Sequence, residues 1–255
     1  MSDEKRTGRR LQSVETSLRI FDLIEEMGGA RTTELANQLD MAQSTVSSHL
    51  STLNQNDYLV KEGDVYHLGL KFLEKGGYVS HRKEGYVLAR DKVKELAEKT
   101  NERAQLIVEE RGHGIYIWTE TGSNAVQMDA RIGKRKSLHA SAAGKSILAH
   151  LPEPRREEIL DQQGLPQKTP NTITDQDELA SELESIREQG YSYNRGERES
   201  GLAAAGVPVI EPSGLVLGAF SVSGPMNRLR GEKLEQEIPQ LLLGVANELE
   251  LNLKY

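Results

Sequence analysis

One stretch of this 255-residue chain admits few architectures: Thr32 to Tyr58, TTELANQLDMAQSTVSSHLSTLNQNDY. Leu35, Ala36 and Leu39 fall on one helical face. Asp40-Met41-Ala42 then interrupts the pattern for about the length of a tight interhelical turn. Val46, Leu50 and Leu53 repeat at i, i+4 and i+7, so a second helix buries one stripe and leaves Gln43, Ser44, Thr45, Ser47, Ser48 and His49 on its other faces. Those side chains are short, polar and uncharged. At the N-terminal end of a helix they are suited to enter a major groove and exchange hydrogen bonds with base edges. The bland alternative is an ordinary solvated helix face.

The flanks favour the first reading. Leu59-Val60-Lys61 and Val65-Tyr66-His67-Leu68 are β-prone runs separated by Glu62-Gly63-Asp64, which predicts a hairpin. Upstream, Val14, Leu18, Phe21, Ile24 and Met27 predict an amphipathic helix from about Ser13 to Gly28-Gly29. Helix, helix, helix, hairpin is the winged helix-turn-helix plan, and it predicts double-stranded DNA as a partner.

Composition adds one tension. The net charge is −7, and residues 1–76 hold nine Lys/Arg against twelve Asp/Glu, so phosphate attraction has to be local. Lys5, Arg6, Arg9 and Arg10 form a compact basic arm placed to reach phosphates or a minor groove; the same arm also reads as a solubilising tail. The absence of Cys excludes disulfides, thiolate metal sites and cysteine nucleophiles and suits an intracellular protein. No apolar run approaches the roughly 18 residues that span a bilayer, and the N-terminus lacks the apolar core of a signal peptide. The expected location is cytoplasmic, with no membrane partner.

Leu70, Phe72 and Leu73 predict a short helical segment ending near Gly76-Gly77. The domain boundary is placed here: residues 1–76 form the winged domain, a helical linker covers about 70–82, and 83–255 form a second domain. That domain begins with a helix from about Gly85 to Thr100, closed by an Asn101 turn. The period then changes to two. Ala104, Leu106 and Val108, a turn at Gly112-His113-Gly114, and Ile115, Ile117 and Thr119 describe a hairpin. A third strand is expected over Ala125–Ala130, with Lys134-Arg135-Lys136 as solvated charge in the loop after it. Helices follow at SLHASAAGKSILAHLPE, at Pro154 to Gln163, and after Thr174, whose pairing with Asp177 resembles a capping box. Tyr191–Asn194, Ala203–Ile210 and Leu215–Ser223 are expected strands, and a helix with Ile238, Leu241, Leu242, Val245, Leu249 and Leu253 ends the chain. The class is α+β, with helices expected on one face of the second sheet.

Ala140 to Lys145 puts small residues at a helix N-terminus, where unpaired N–H groups and the helix dipole favour an anion such as a carboxylate or sugar acid. Enzymatic readings fare worse. Gly144-Lys145-Ser146 has the end of a phosphate-binding loop, but His139 stands where that loop needs its first Gly. His113, His139 and His150 are isolated, so neither a metal nor a cofactor is expected and each His reads as an ordinary surface or core residue. A ligand-sensing module that acts through a protein partner remains the competing non-enzymatic function.

At LHASAAGKSILAHLP and GYSYNRGERESGLAAAGVPVIEPSGLVLGAFSVSGPMNRL the chain closely resembles the IclR family of transcriptional regulators. With the winged segment in front, the resemblance covers nearly the whole length. It implies a GAF-like α/β effector-binding domain behind a helical linker, operator binding modulated by a small-molecule effector, palindromic sites, and a homodimer or homotetramer. It further implies Ala142 and Ala143 as backbone contacts to the effector and Ser221 and Ser223 as hydroxyl contacts, the two serines sharing a strand face opposite Phe220 and Val222. Two effector positions depart from the pattern: Asn194 stands where relatives carry an acidic contact, and Ala204 where some have Cys. On the recognition helix, Ser48-His49 occupies the place of a frequent Arg.

Overall fold

The computed structural model describes residues 10–123 and 131–254, which divide into two compact units, one through Val79 and one from Ser80. Arg9 and the expected strand over Ala125–Ala130 lie outside the described residues.

In the first unit, α1 (Gln12–Met27) leads to a two-residue strand β1 (Ala30–Arg31), α2 (Thr32–Leu39), α3 (Gln43–Gln55), the hairpin strands β2 (Leu59–Glu62) and β3 (Val65–Leu68), and α4 (Lys71–Ser80). Gly28, at φ 68°, lets the chain leave α1 in a left-handed turn, with its N–H donating to Glu25 O. β1 pairs with β3, so the wing is a three-stranded sheet of order β1-β3-β2. Ile20, Ile24, Leu35, Leu39, Val46, Leu50 and Leu59 form its core.

Two expectations change here. α1 buries Thr16, Ile20 and Ile24, whereas Val14 and Leu18 are more than half exposed. Both stripes have helical spacing, and only packing against the rest of the unit chooses between them. The helix expected to stop near Gly76 continues to Ser80, since neither Gly76 nor Gly77 takes a positive φ. Phe72 is held by edge-on contacts with Phe21 and Tyr58, at 5.0 and 5.3 Å between ring centres.

The second unit runs α5 (Glu84–Thr100), β4 (Arg103–Glu110), β5 (His113–Thr121), β6 (Arg135–Ser137), α6 (Ala142–His150), α7 (Glu153–Gln163), α8 (Gln176–Gln189), β7 (Ser192–Arg195), β8 (Leu202–Ile210), β9 (Val216–Pro225) and α9 (Ile238–Asn252). A single π-helical stretch, Lys233–Glu237, leads into α9. The strands form one antiparallel sheet of order β6-β5-β4-β9-β8-β7.

Helices cover both faces of this sheet, not one. Leu106, Val108, Val207, Phe220 and Val222 pack with Val93 and Leu96 of α5 and with Leu242, Val245 and Leu249 of α9. On the opposite face Ile107, Tyr116 and Ala219 pack with Ile147 and Leu148 of α6, Ile159 of α7 and Leu183 of α8. The reason is in β4 and β9, whose apolar residues occupy both parities, so each face has area to remove from water. Helix α8 starts one residue later than expected: Asp175 is the cap, its Oδ1 accepting from Glu178 N at 2.9 Å.

The basic run at Lys134 to Lys136 is also corrected. Arg135–Ser137 forms an edge strand on β5, in which Arg135 is exposed and Lys136 is buried opposite Gly114. A Cβ at Gly114 would meet the Lys136 stem at 3.2 Å, so the missing side chain makes room for the lysine to turn inward.

Candidate functional site

On α3, Val46 and Leu50 are buried, and Gln43, Ser44, Thr45, Ser47 and Ser48 are exposed. The exposed face begins at the first residue of the helix, as groove entry requires. Ser48 is partly engaged, its hydroxyl donating to Ser44 O at 3.0 Å. His49 is set apart from this face. Its Nδ1 lies 3.0 Å from Ser17 Oγ of α1, half-buried, and it lines a shallow groove with Val14, Leu18, Phe21, Leu53 and Tyr58. The sequence put His49 among the free side chains of this helix; the structure turns it toward α1. Arg10 is exposed with its guanidinium 3.6 Å from Glu15, which offsets part of its charge.

In the second unit, strand register assembles the site. Asn194 pairs with Ala204, Ala204 with Ser223, and Ser223 with Arg103, giving one row across four strands. Ser192, Gly206, Ser221 and Gln105 form the next row on the same face. Above these rows sits the start of α6. Ser141 caps it, accepting from Gly144 N at 3.2 Å, and Ser192 Oγ donates to Ala142 O at 2.6 Å. Gly206 permits the approach: a Cβ there would stand 2.7 Å from Ala143 N.

Between rows and helix lies a cavity of about 40 Å³. Ala142, Asn194, Ala204, Ser221 and Ser223 line it as the sequence suggested; Ala143 does not, being committed to the apolar cluster with Ile107 and Ile147. Ser223 Oγ accepts from Gln105 Nε2 at 2.9 Å. Asn194 is a structural clamp as well as a wall residue. It donates to Ala140 O at 2.6 Å and accepts from Gly196 N and Glu197 N at 3.1 and 3.2 Å, which fixes the following loop. Thr169 and Thr172 hold the same loop through Gly196 O and Glu197 O.

The charged wall was missed by sequence reasoning. Arg103, Lys136 and Arg198 line the cavity with Tyr116, Gln105 and a single acid, Glu199. Arg198 Nη1 donates to Tyr116 Oη at 2.7 Å, and Lys136 Nζ lies 4.9 Å from the centre of the Tyr116 ring. Burial pulls Arg103 below the usual guanidinium range, with Tyr116 and Glu199 opposing. The same desolvation, reinforced by Arg198, pushes Lys136 well below the usual lysine range. A signal was present in β4, where Arg103 and Gln105 share one parity while Ala104, Leu106 and Val108 line the other. Lys136 gave no such signal, because a lysine in a basic run reads as solvated charge.

Lys145 has a different role from the phosphate-binding lysine its neighbours suggest. Its ammonium is buried between Glu182 at 2.8 Å and Glu197 at 2.8 Å, tying α6 to α8 and to the loop after Asn194. His139 is buried with Nε2 3.2 Å from Pro166 O, and among the described residues no three His, Cys, Asp or Glu side chains are grouped as a metal would need.

The chain matches two family models: the IclR helix-turn-helix domain over residues 13–63 and the bacterial transcriptional regulator IclR C-terminal domain over residues 81–251. The chain belongs to the IclR family of transcriptional regulators. A probable HTH-type transcriptional regulator ArcR from Halobacterium salinarum is 33% identical over 250 residues, covering 96% of this chain and 95% of its own. The crystal structure of the Thermotoga maritima IclR superposes with a TM-score of 0.84 at 31% identity, covering 96% and 100% of the two chains. An IclR homologue from Microbacterium hydrocarbonoxydans complexed with 4-hydroxybenzoate gives a TM-score of 0.80 at 22% identity over 95% of this chain and 98% of that one, a likeness of fold. As a member of this family the chain has a helix-turn-helix domain for DNA and a C-terminal domain for small-molecule effectors. No helix among the described residues is long and apolar enough to cross a membrane.

Proposed function

We propose that this protein is a cytoplasmic, non-enzymatic regulator whose affinity for a palindromic operator is set by an organic acid bound in the cavity of its second unit. Residues 1–76 supply DNA binding and residues 83–255 supply effector binding. Gln43, Ser44, Thr45, Ser47 and Ser48 read base edges, and Arg9 and Arg10 meet the backbone. Ala142, Asn194, Ala204, Ser221 and Ser223 form the effector contacts, with Ala143 supporting the helix start from behind.

The observation that carries this reading is the pairing, in one chain, of an exposed uncharged face on α3 with a cavity whose wall carries, among the described residues, three basic side chains and one acid. Anions are favoured there on two counts, the cations and the N-terminus of α6. The acid bound by the Microbacterium homologue agrees in chemical class. An effector bound there changes DNA affinity only in so far as it binds one conformation of the protein more tightly than another. Such differential affinity for two states is what couples the cavity to DNA.

A homo-oligomer follows from the palindrome, because two half-sites need two recognition helices about one helical turn apart or a multiple of it. The exposed Val14 and Leu18 of α1 and Leu70 and Leu73 beside α4 support a second copy as the cover. Light scattering at high and low salt tests this; a monomer at both, protecting a single half-site, would remove the dimer.

The central test is a gel shift with and without acid effectors for the parent and for Ser223→Leu. Leucine at position 223 fills the cavity and removes the hydroxyl that meets Gln105, so the effector-dependent change in DNA affinity should vanish. An undiminished response would remove Ser223 from the site. Early melting with loss of DNA binding would assign Ser223 to structure alone.

A further inference from the structure

Lys136 is 8% exposed, and its neighbours are unlike those of an ordinary buried lysine. Buried ammonium groups normally meet a carboxylate, as Lys145 meets Glu182 and Glu197. Among the described residues no carboxylate lies within ion-pair distance of Lys136; its one contact of this kind is the face of Tyr116. Around it β4 presents Arg103 and the loop after β7 presents Arg198 and Glu199. On its other side lies a groove of about 350 Å³ lined by His113, Arg135, Lys168 and again Arg198, with no acid among the described residues. Arg135 is partly neutralised by Glu110 at 3.6 Å. Lys136 and Arg198 thus form a wall shared by the cavity and a basic vestibule.

We infer that Lys136 is a further effector-binding residue, its Nζ taking an anionic group of the effector, a carboxylate or a phosphate, that arrives through the basic groove. This rests on the reading of the cavity as the effector site. The groove concentrates anions at its mouth by the field of its cations. Lys136 then supplies the counter-charge inside, while Arg198, engaged with Tyr116, shapes the opening. Because burial and Arg198 disfavour the ammonium before the ligand arrives, the anion restores it. Binding is therefore coupled to uptake of a proton, and affinity falls as pH is raised.

The experiment is calorimetric titration of the full chain with gluconate, 4-hydroxybenzoate and glycerol 3-phosphate, each beside its uncharged counterpart, glucose, 4-hydroxybenzamide and glycerol. Runs in two buffers of different ionisation enthalpy count protons. At least one acid should bind more tightly than its neutral counterpart, with net uptake of protons. Lys136→Met should weaken that acid about 10- to 100-fold and abolish the uptake. The carboxylate and phosphate probes show which anion is preferred. Acids that bind no better than their neutral counterparts, or a Lys136→Met protein that binds the same acid unchanged, would overturn the inference. If Lys136→Met does not fold, the parent decides: proton uptake and weaker binding at higher pH support it, and a flat pH profile without uptake overturns it. A gel shift of the parent on the same operator separates this from failure of the regulator reading, which would appear there as loss of specific DNA binding.

Discussion

On α3 the hydroxyls of Ser44, Thr45 and Ser47 stand in solvent on one helix, whereas in the second unit Ser221 and Ser223 face a cavity lined from β4, β6, β7 and the start of α6. The first surface is made by neighbours in sequence and is free of charge. The second is made by residues far apart in the chain, such as Gln105 and Ser223, and carries buried cations. A surface that must read many base edges and release them is served by short side chains already hydrated. On the proposed function, a cavity that takes a small acid out of water gains from desolvated charge, where each electrostatic contact is stronger. The desolvation cost is then borne by the fold, through fixtures such as Lys145 between its two glutamates.

That contrast can be broken at its most expensive point. Lys145→Met leaves Glu197 buried with its charge uncompensated. It should cost the second unit about 3 kcal/mol, toward the lower end of the range for such pairs because Glu182 is partly exposed. Calorimetric melting measures it, and a loss below about 1 kcal/mol would mean that water replaces the lysine freely.

On the DNA side, Ser44→Ala, Thr45→Ala or Ser47→Ala should each cost about 1 to 3 kcal/mol at the specific operator and little on random DNA. Equal losses on both sequences would reassign these residues to phosphate contacts. No loss would remove α3 as the reading helix.

The smallest effect concerns His139. Burial holds it below the ordinary histidine value of about 6.5, so the folded protein stays neutral where the unfolded chain takes up a proton. Stability therefore falls as pH drops through the unfolded value and levels off below the folded one. His139→Gln should flatten that part of the curve in denaturant titrations between neutral and mildly acidic pH. An unchanged slope would mean that the ring protonates without cost where it sits beside Pro166.

How far the sequence reached differs between the two regions for the same reason. The helix-turn-helix, its wing and the exposed face of α3 were legible because a period of 3.6 or 2 over about ten residues fixes which side chains share a face. Even there, the stripe expected on α1 was right at Ile24 but not along its whole length: packing buries Ile20 as well and leaves Val14 and Leu18 exposed. In the second unit the strands, the helices, the shared face of Ser221 and Ser223 and the small residues at the start of α6 were likewise local properties.

What the chain alone determined, then, was the kind and order of most of its elements, though not the strand at Arg135–Ser137, and which residues of each strand look the same way. Which strands lie side by side, that Asn194, Ala204, Ser223 and Arg103 fall in one row, that helices cover both faces, and that Lys136 turns inward opposite Gly114 were decided by tertiary structure. Strand pairing is set by the simultaneous burial of both sheet faces and the closure of long loops, such as the one that brings Arg103 beside Ser223. Those energies belong to the assembled fold, not to any segment of it.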